Sequence, residues 1–263
     1  MRVFPSENKK IVIKVSTQMI TDGVAKIYYG KIKSFVKQVA ELIHNGYSII
    51  IVSSGAIGCG LAKLGLKNRP KEYKKLQALA SVGQIHLMSL YQQEFNKYQL
   101  NIGQILLSAD DTKDSTRKSN VRNTLEVLLD KGIVPIINEN DSVAIEELSY
   151  GDNDTLSALV SILLYVDLLI ILTDVKGLYD KNPKIHDDGK IIKQVDKISD
   201  DLEKLVEDID GNITFGGMRS KIQAVKKATI VGIPAIITSF NNENLLKRLL
   251  IGEELGTYFV AQK

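Results

Sequence analysis

Residues 152–177 read DNDTLSALVSILLYVDLLIILTDVKG. From Leu156 to Leu172 the run is almost continuously apolar, near the length that spans a bilayer. Asp167 interrupts it, and an aspartate at the centre of a membrane helix costs about 2.5–3.5 kcal/mol. The run is therefore read as a buried helix, Thr155–Tyr165, leading into a buried strand, Leu168–Leu172. A short strand that is apolar without alternation is covered on both faces, which is the habit of parallel sheets.

The same two signals recur on either side. Lys10–Val15, Ile49–Val52, Ile105–Leu107, Ile133–Ile137 and Ala235–Ile237 are further Ile- and Val-rich strand candidates. Pro135 has no N–H to give, so it belongs at a sheet edge or a strand end. Between the strands, Tyr28, Ile32, Phe35, Val36, Val39 and Leu42 recur at helical spacing, and His44-Asn45-Gly46 supplies a stop. Leu76–Phe95, Asn120–Leu129, a helix from Met218 to Thr229, and Asn244–Ile251 complete the helical set. The polar stretch Lys181–Gly189 is read as a surface hairpin or lid. Alternating strands and helices define an α/β fold with a mostly parallel central sheet and helices on both faces. No repeat or linker divides the chain. It is read as one domain over 1–263, with halves of about 1–154 and 155–263.

Composition narrows the function. The chain of 263 residues carries 34 Lys and Arg against 31 Asp and Glu, for a formal charge of +3. Such a balance gives no electrostatic reason to expect nucleic acid or an anionic membrane as partner. A single cysteine, Cys59, excludes an intrachain disulfide and a cysteine-based zinc cluster. His44, His86 and His186 are scattered, so no metal site is expected from side chains of this kind. The N-terminal MRVFPSENKKIVIKV is too short and lysine-broken in its apolar part for a signal peptide, and a cytoplasmic protein is expected.

In an open α/β sheet, ligands bind beyond the carboxyl ends of the strands, and the unusual residues of this chain lie there. Lys14 ends the first strand candidate, where it either neutralises an anion or snorkels to solvent. Ser53-Ser54-Gly55-Ala56-Ile57-Gly58-Cys59-Gly60 follows the second and reads as an anion-approaching loop or a plain glycine-rich turn. It is not a dinucleotide fingerprint, because Lys63 stands where the third glycine is required. Asn138-Glu139-Asn140-Asp141-Ser142 suits a pocket for a small polar ligand, or an Asx-rich turn serving its own backbone. Gly151-Asp152-Asn153-Asp154-Thr155 offers more polar groups than a helix cap needs. Thr173-Asp174 stands at a strand end, where a nucleotide can be met. Thr214-Phe215-Gly216-Gly217-Met218-Arg219-Ser220-Lys221 opens a helix with paired glycines and a first-turn lysine, an anion cradle. Counted as G-x-x-x-x-G-K from Gly211, it puts Gly217 at the lysine position, so it is not a Walker A loop.

Taken in order, KVST, SSGAIGCG, INENDSVA, GDNDTLSALV, LTDVKGLY and GGMRSK resemble the amino acid kinase family, over about Lys9 to Phe259. INEND with GDND is similar to the branch that phosphorylates the γ-carboxylate of L-glutamate with ATP and Mg²⁺, the first step of proline biosynthesis. The resemblance implies an αβα sandwich. It implies that Lys14 and Lys221 stabilise the transferring phosphoryl and that Asp154 orients them. By the same likeness Ser54, Asp141 and Asn153 bind glutamate. Thr173, Asp174 and the segment Phe215, Gly216, Gly217, Met218, Arg219, Ser220, Lys221 bind ATP. A homodimer or homotetramer and feedback inhibition by proline are implied as well. Acetylglutamate, aspartate and uridylate kinases, or a non-catalytic amino-acid sensor, are the alternatives.

Three departures stand out. Ser16 replaces the glycine common after the first lysine, and Thr214-Phe215 replace the first two residues of a G-T-G-G-M segment. Many bacterial members also carry a C-terminal domain resembling RNA-modification modules, which a chain ending at Lys263 is expected to lack.

Overall fold

The computed structural model describes residues 9–22, 26–143, 153–181, 186, 188–210, 217–241 and 243–262. In chain order the elements begin with β1 (Lys10–Val15), α1 (Thr17–Ile20), α2 (Tyr29–His44), β2 (Ser48–Ser53), α3 (Ala56–Lys63) and α4 (Tyr73–Asn96). Next come β3 (Ile102–Leu107), α5 (Ala109–Lys113), α6 (Ser115–Asp130), β4 (Val134–Glu139), α7 (Asn153–Leu164) and β5 (Leu168–Thr173). The last are β6 (Gln194–Val195), α8 (Asp200–Asp210), α9 (Met218–Ile230), β7 (Ala235–Ser239), α10 (Leu245–Leu250) and β8 (Thr257–Phe259). Two compact units result: Val15–Tyr150, and Met1–Lys14 with Gly151–Lys263. Most of β1 thus belongs with the C-terminal unit although it leads the chain.

In the first unit β4 lies between β2 and β3, parallel to both. Every residue of β4 is buried, so both faces of the sheet are covered there. Pro135 is the second residue of β4, and pairing to β2 is registered at Ile51↔Ile136 and Val52↔Ile137, just beyond it. The proline lies one residue inside β4, before the pairing to β2 begins but opposite Gly103 in the ladder to β3, so it is near the strand's start and not at a sheet edge. α2 buries Ile32, Phe35, Val36, Val39 and Leu42 on one face. Gly46, at φ 87°, then takes a left-handed turn that a side chain rarely adopts, and the helix stops.

In the second unit the strands run β1-β5-β7-β8-β6. β5 and β7 are parallel from Leu169↔Ala235 to Thr173↔Ser239, whereas β8 is antiparallel to β7. The apolar run quoted at the outset is α7 followed by β5, as its composition implied. Asp167 explains itself: its carboxylate accepts the Lys10 N–H at 2.8 Å, and its own N–H goes to the Lys10 carbonyl at 2.9 Å. The loop after Tyr179 closes antiparallel against Ile191, which is the base of a hairpin. Among the described residues, no helix is long and apolar enough to cross a membrane.

The glycine-rich stretch after β2 differs from its reading as a loop. Only Gly55, at φ 109°, turns the chain; residues 56–63 are helix α3. A Cβ at Gly60 would lie 2.1 Å from the Leu79 carbonyl oxygen, and one at Gly83 would lie 1.8 Å from that of Ala56. These glycines let α3 and α4 pack backbone to backbone, which a larger residue would prevent.

Candidate functional site

The second unit gathers three charged side chains from three elements. Lys14 is the last residue but one of β1, Asp154 lies in the first turn of α7, and Lys221 lies in the first turn of α9. The Lys14 Nζ stands 2.5 Å from Asp154 Oδ1, and the Lys221 Nζ stands 3.2 Å from Oδ2. Their exposures are 3%, 0% and 4%, so an ammonium binds each oxygen of one carboxylate away from water. Desolvating such groups is expensive unless partners answer them, and an exposed ion pair of this kind would contribute little. The snorkelling reading of Lys14 is thereby replaced.

Asp154 is further tied to its surroundings. Ser220 Oγ lies 3.3 Å from its Oδ2, and Ser157 Oγ donates to its carbonyl at 2.6 Å. Lys221 also donates to the Gly217 carbonyl at 3.3 Å, so the ammonium folds back over the start of its own helix. Gly217 occupies the N-cap of α9 without a side-chain cap. Met218 is half-buried and Arg219 exposed, whereas Phe215 and Gly216 lie outside the described residues. The sequence reading placed Ser220 in the ATP segment by resemblance, whereas its contact with the Asp154 carboxylate depends on a residue remote in sequence and was not legible there.

Thr173 ends β5 buried, and its hydroxyl donates to the exposed Asp174 carboxylate at 3.0 Å. Asn153, half-buried, opens α7.

The other expected positions lie in the first unit. Ser54 follows β2, and its N–H donates to the Val15 carbonyl at 3.0 Å. Behind it, Ser53 Oγ donates to the Ser54 carbonyl at 3.0 Å and lies 2.9 Å from Tyr91 Oη. With the serine proton committed to the carbonyl, the Tyr91 hydroxyl is the donor of the second bond. Tyr91→Phe keeps the buried ring and removes that donor. It is expected to cost about 1 kcal/mol, read as a lower midpoint in urea.

The polar run at the end of β4 divides its labour. Asn138 donates to Gln84 Oε1 at 2.9 Å and accepts the Glu139 N–H at 2.9 Å, so it serves the fold. Asp141 faces a different environment: burial pushes its carboxyl up to about 6, while Arg69 pulls it the other way. Between its ordinary value of about 3.9 and that figure, the folded protein holds a proton the unfolded chain has released. The contribution of this half-buried carboxyl to stability therefore falls as pH rises through that window and is absent at neutral pH. Asp141→Asn is expected to flatten this slope and to gain on the order of 1 kcal/mol at pH 7. Melting curves of both proteins at pH 4.5 and 7.5 check it, and an unchanged slope counts against a buried carboxyl.

One strand and two helices thus carry two lysines and one buried aspartate to a common point in the second unit. Residues 9–239 match the model of the amino acid kinase family, and the chain belongs to that family. A glutamate 5-kinase of Clostridium tetani (strain Massachusetts / E88) is 43% identical over 257 residues, covering 97% of this chain and 96% of that protein. One from Clostridium perfringens (strain 13 / Type A) is 40% identical over 267 residues, covering 100% and 99%. A third, from Caldanaerobacter subterraneus subsp. tengcongensis, is 43% identical over 254 residues, 97% of this chain and 68% of its own length. Among solved structures, the UMP kinase from Bacillus anthracis superposes with a TM-score of 0.65 at 13% identity, over 98% of both chains. At that identity the likeness concerns the fold.

Proposed function

We propose that this chain transfers the γ-phosphoryl of ATP to the γ-carboxylate of L-glutamate, giving L-glutamyl 5-phosphate for proline biosynthesis. The observation that carries the reading is the convergence of Lys14 and Lys221 on Asp154. The full-length likeness to glutamate 5-kinases chooses the acceptor.

The chemistry needs little more than placement and charge. A γ-carboxylate has an ordinary pKa of about 4.3 and is ionised at neutral pH, so no general base is required. Transfer then depends on in-line positioning and on neutralising the phosphoryl oxygens. Two ammonium groups held by one carboxylate are preorganised for the second task, and a dry setting strengthens them. Lys14 and Lys221 meet the phosphoryl, and Asp154 holds both in place. Ser54, Asp141 and Asn153 take glutamate, with Asp141 accepting from its ammonium. Thr173, Asp174 and the segment 215–221 take ATP. The N-terminal half thus serves glutamate and the C-terminal half ATP.

Among the described residues no group of three or more His, Cys, Asp or Glu side chains could hold a metal ion. Magnesium in nucleotide sites is ordinarily carried on phosphates and waters with one or two protein carboxylates. A magnesium ion held there would supply positive charge against the phosphate oxygens of the nucleotide. Asp174, exposed at the end of β5, is the carboxylate that would reach it. The reading also includes a cytoplasmic homodimer or homotetramer inhibited by proline; gel filtration and a proline titration test those parts.

The test is an assay with ATP, Mg²⁺ and L-glutamate in which hydroxylamine traps the acyl phosphate. Glutamate-dependent hydroxamate supports the proposal. Turnover with N-acetylglutamate, aspartate or UMP in its place moves the chain to another branch, and no turnover with any acceptor leaves a sensor.

A further inference from the structure

Ser16 is 4% exposed, and among the described residues its hydroxyl has no hydrogen-bond partner. A hydroxyl shut away from water without a partner is costly, and buried hydroxyls nearly always have one. The near candidates pass it by. Ser16 stands at the N-cap position of α1, yet its side chain makes no capping bond. Its carbonyl accepts the Met19 N–H at 3.1 Å, so the local turn is closed by backbone alone. The neighbouring Val15 carbonyl accepts the Ser54 N–H at 3.0 Å, which ties this stretch to the turn after β2.

The backbone supplies the direction. At φ −77° and ψ 159°, Ser16 continues the extended course of β1 by one residue. Side chains two apart on extended backbone leave the same face, so Ser16 follows Lys14 on its face of the strand. We infer that the Ser16 hydroxyl is a substrate-binding group that donates its proton to an anionic oxygen, phosphoryl or carboxylate. This rests on the phosphoryl-transfer reading above. A neutral donor suits such a place: it adds a charge-assisted bond without another charge to bury beside Lys14.

The experiment compares wild type with Ser16→Ala by thermal melting, without ligand, with ADP and Mg²⁺, and with L-glutamate, followed by KM for ATP and glutamate. Without ligand, the alanine variant is expected to melt at or above the wild-type temperature, because an unanswered polar atom has been removed. The stabilisation by one ligand is expected to shrink, with its KM rising about tenfold. Loss confined to ADP identifies a phosphoryl oxygen, and loss confined to glutamate a carboxylate. A lower melting temperature without ligand overturns the inference, since the hydroxyl then has its partner within the fold or in a fixed water. Undiminished response to both ligands overturns it as well. A wild type that responds to neither ligand instead removes the phosphoryl-transfer reading, and this inference with it.

Discussion

Asp154→Asn is expected to reduce kcat by about 10³-fold while leaving a folded protein of lower stability. The substitution changes charge and hardly changes size. If Asp154 only capped α7, asparagine would cap as well, and both turnover and melting would survive. The geometry argues otherwise. Lys14 and Lys221 approach separate oxygens of this carboxylate, which is fully buried. Neutralising it leaves two ammonium groups without their shared counter-ion, and removing one partner of a buried pair costs about 3–5 kcal/mol. The melting temperature is expected to drop by roughly 10 °C. Like charges then push the lysines apart, so the phosphoryl oxygens lose a preorganised environment. Turnover is measured well below the lowered transition, on material shown by circular dichroism to be folded. Turnover within a few-fold of wild type, with an unshifted transition, would reduce Asp154 to a helix cap.

Lys221→Ala is expected to lower kcat by about 10²-fold or more, with a smaller change in the KM for glutamate. Its ammonium is held at 3.2 Å by Asp154 and at 3.3 Å by the Gly217 carbonyl, and 4% of the residue is exposed. So placed, it has no part in solubility or surface charge. Lys14 stays paired with Asp154 after the truncation, so the stability loss is expected to be smaller than for Asp154→Asn. The separation of kcat from KM distinguishes contact with the transferring group from contact with the acceptor. Wild-type kcat in the variant would leave Lys221 a structural partner of Asp154 and no more.

Much of the architecture was legible because its signals are local. The non-alternating runs at Lys10–Val15 and Leu168–Leu172 announce strands buried on both faces, and both form. Asn45-Gly46 announces the end of α2, because a left-handed turn favours glycine. Short or sparsely apolar elements escaped notice. β6 has two residues and β8 three, too few for a period to show, and the antiparallel pairing of β8 with β7 depends on a neighbour remote in sequence. The sequence reading also passed over α8, although Leu202, Leu205, Val206 and Ile209 recur there at helical spacing.

At the site, residue chemistry named Lys14, Asp154 and Lys221, but three reasonable positions are not a constellation. A lysine at a strand end, an aspartate in a first turn and a lysine after two glycines each have an ordinary explanation. The fold brings them to distances of 2.5 and 3.2 Å and strips them of water, which turns ordinary groups into a charged assembly. It also recruits Ser220, and it assigns Asn138 to Gln84. Glycines show the division most plainly. By itself the sequence offered residues 55–60 as an anion-approaching loop or a plain glycine-rich turn, since glycine brings no Cβ. Only the tertiary structure decided what approaches: for Gly60 it is the backbone of α4, because steric room is a property of the neighbour and not of the residue.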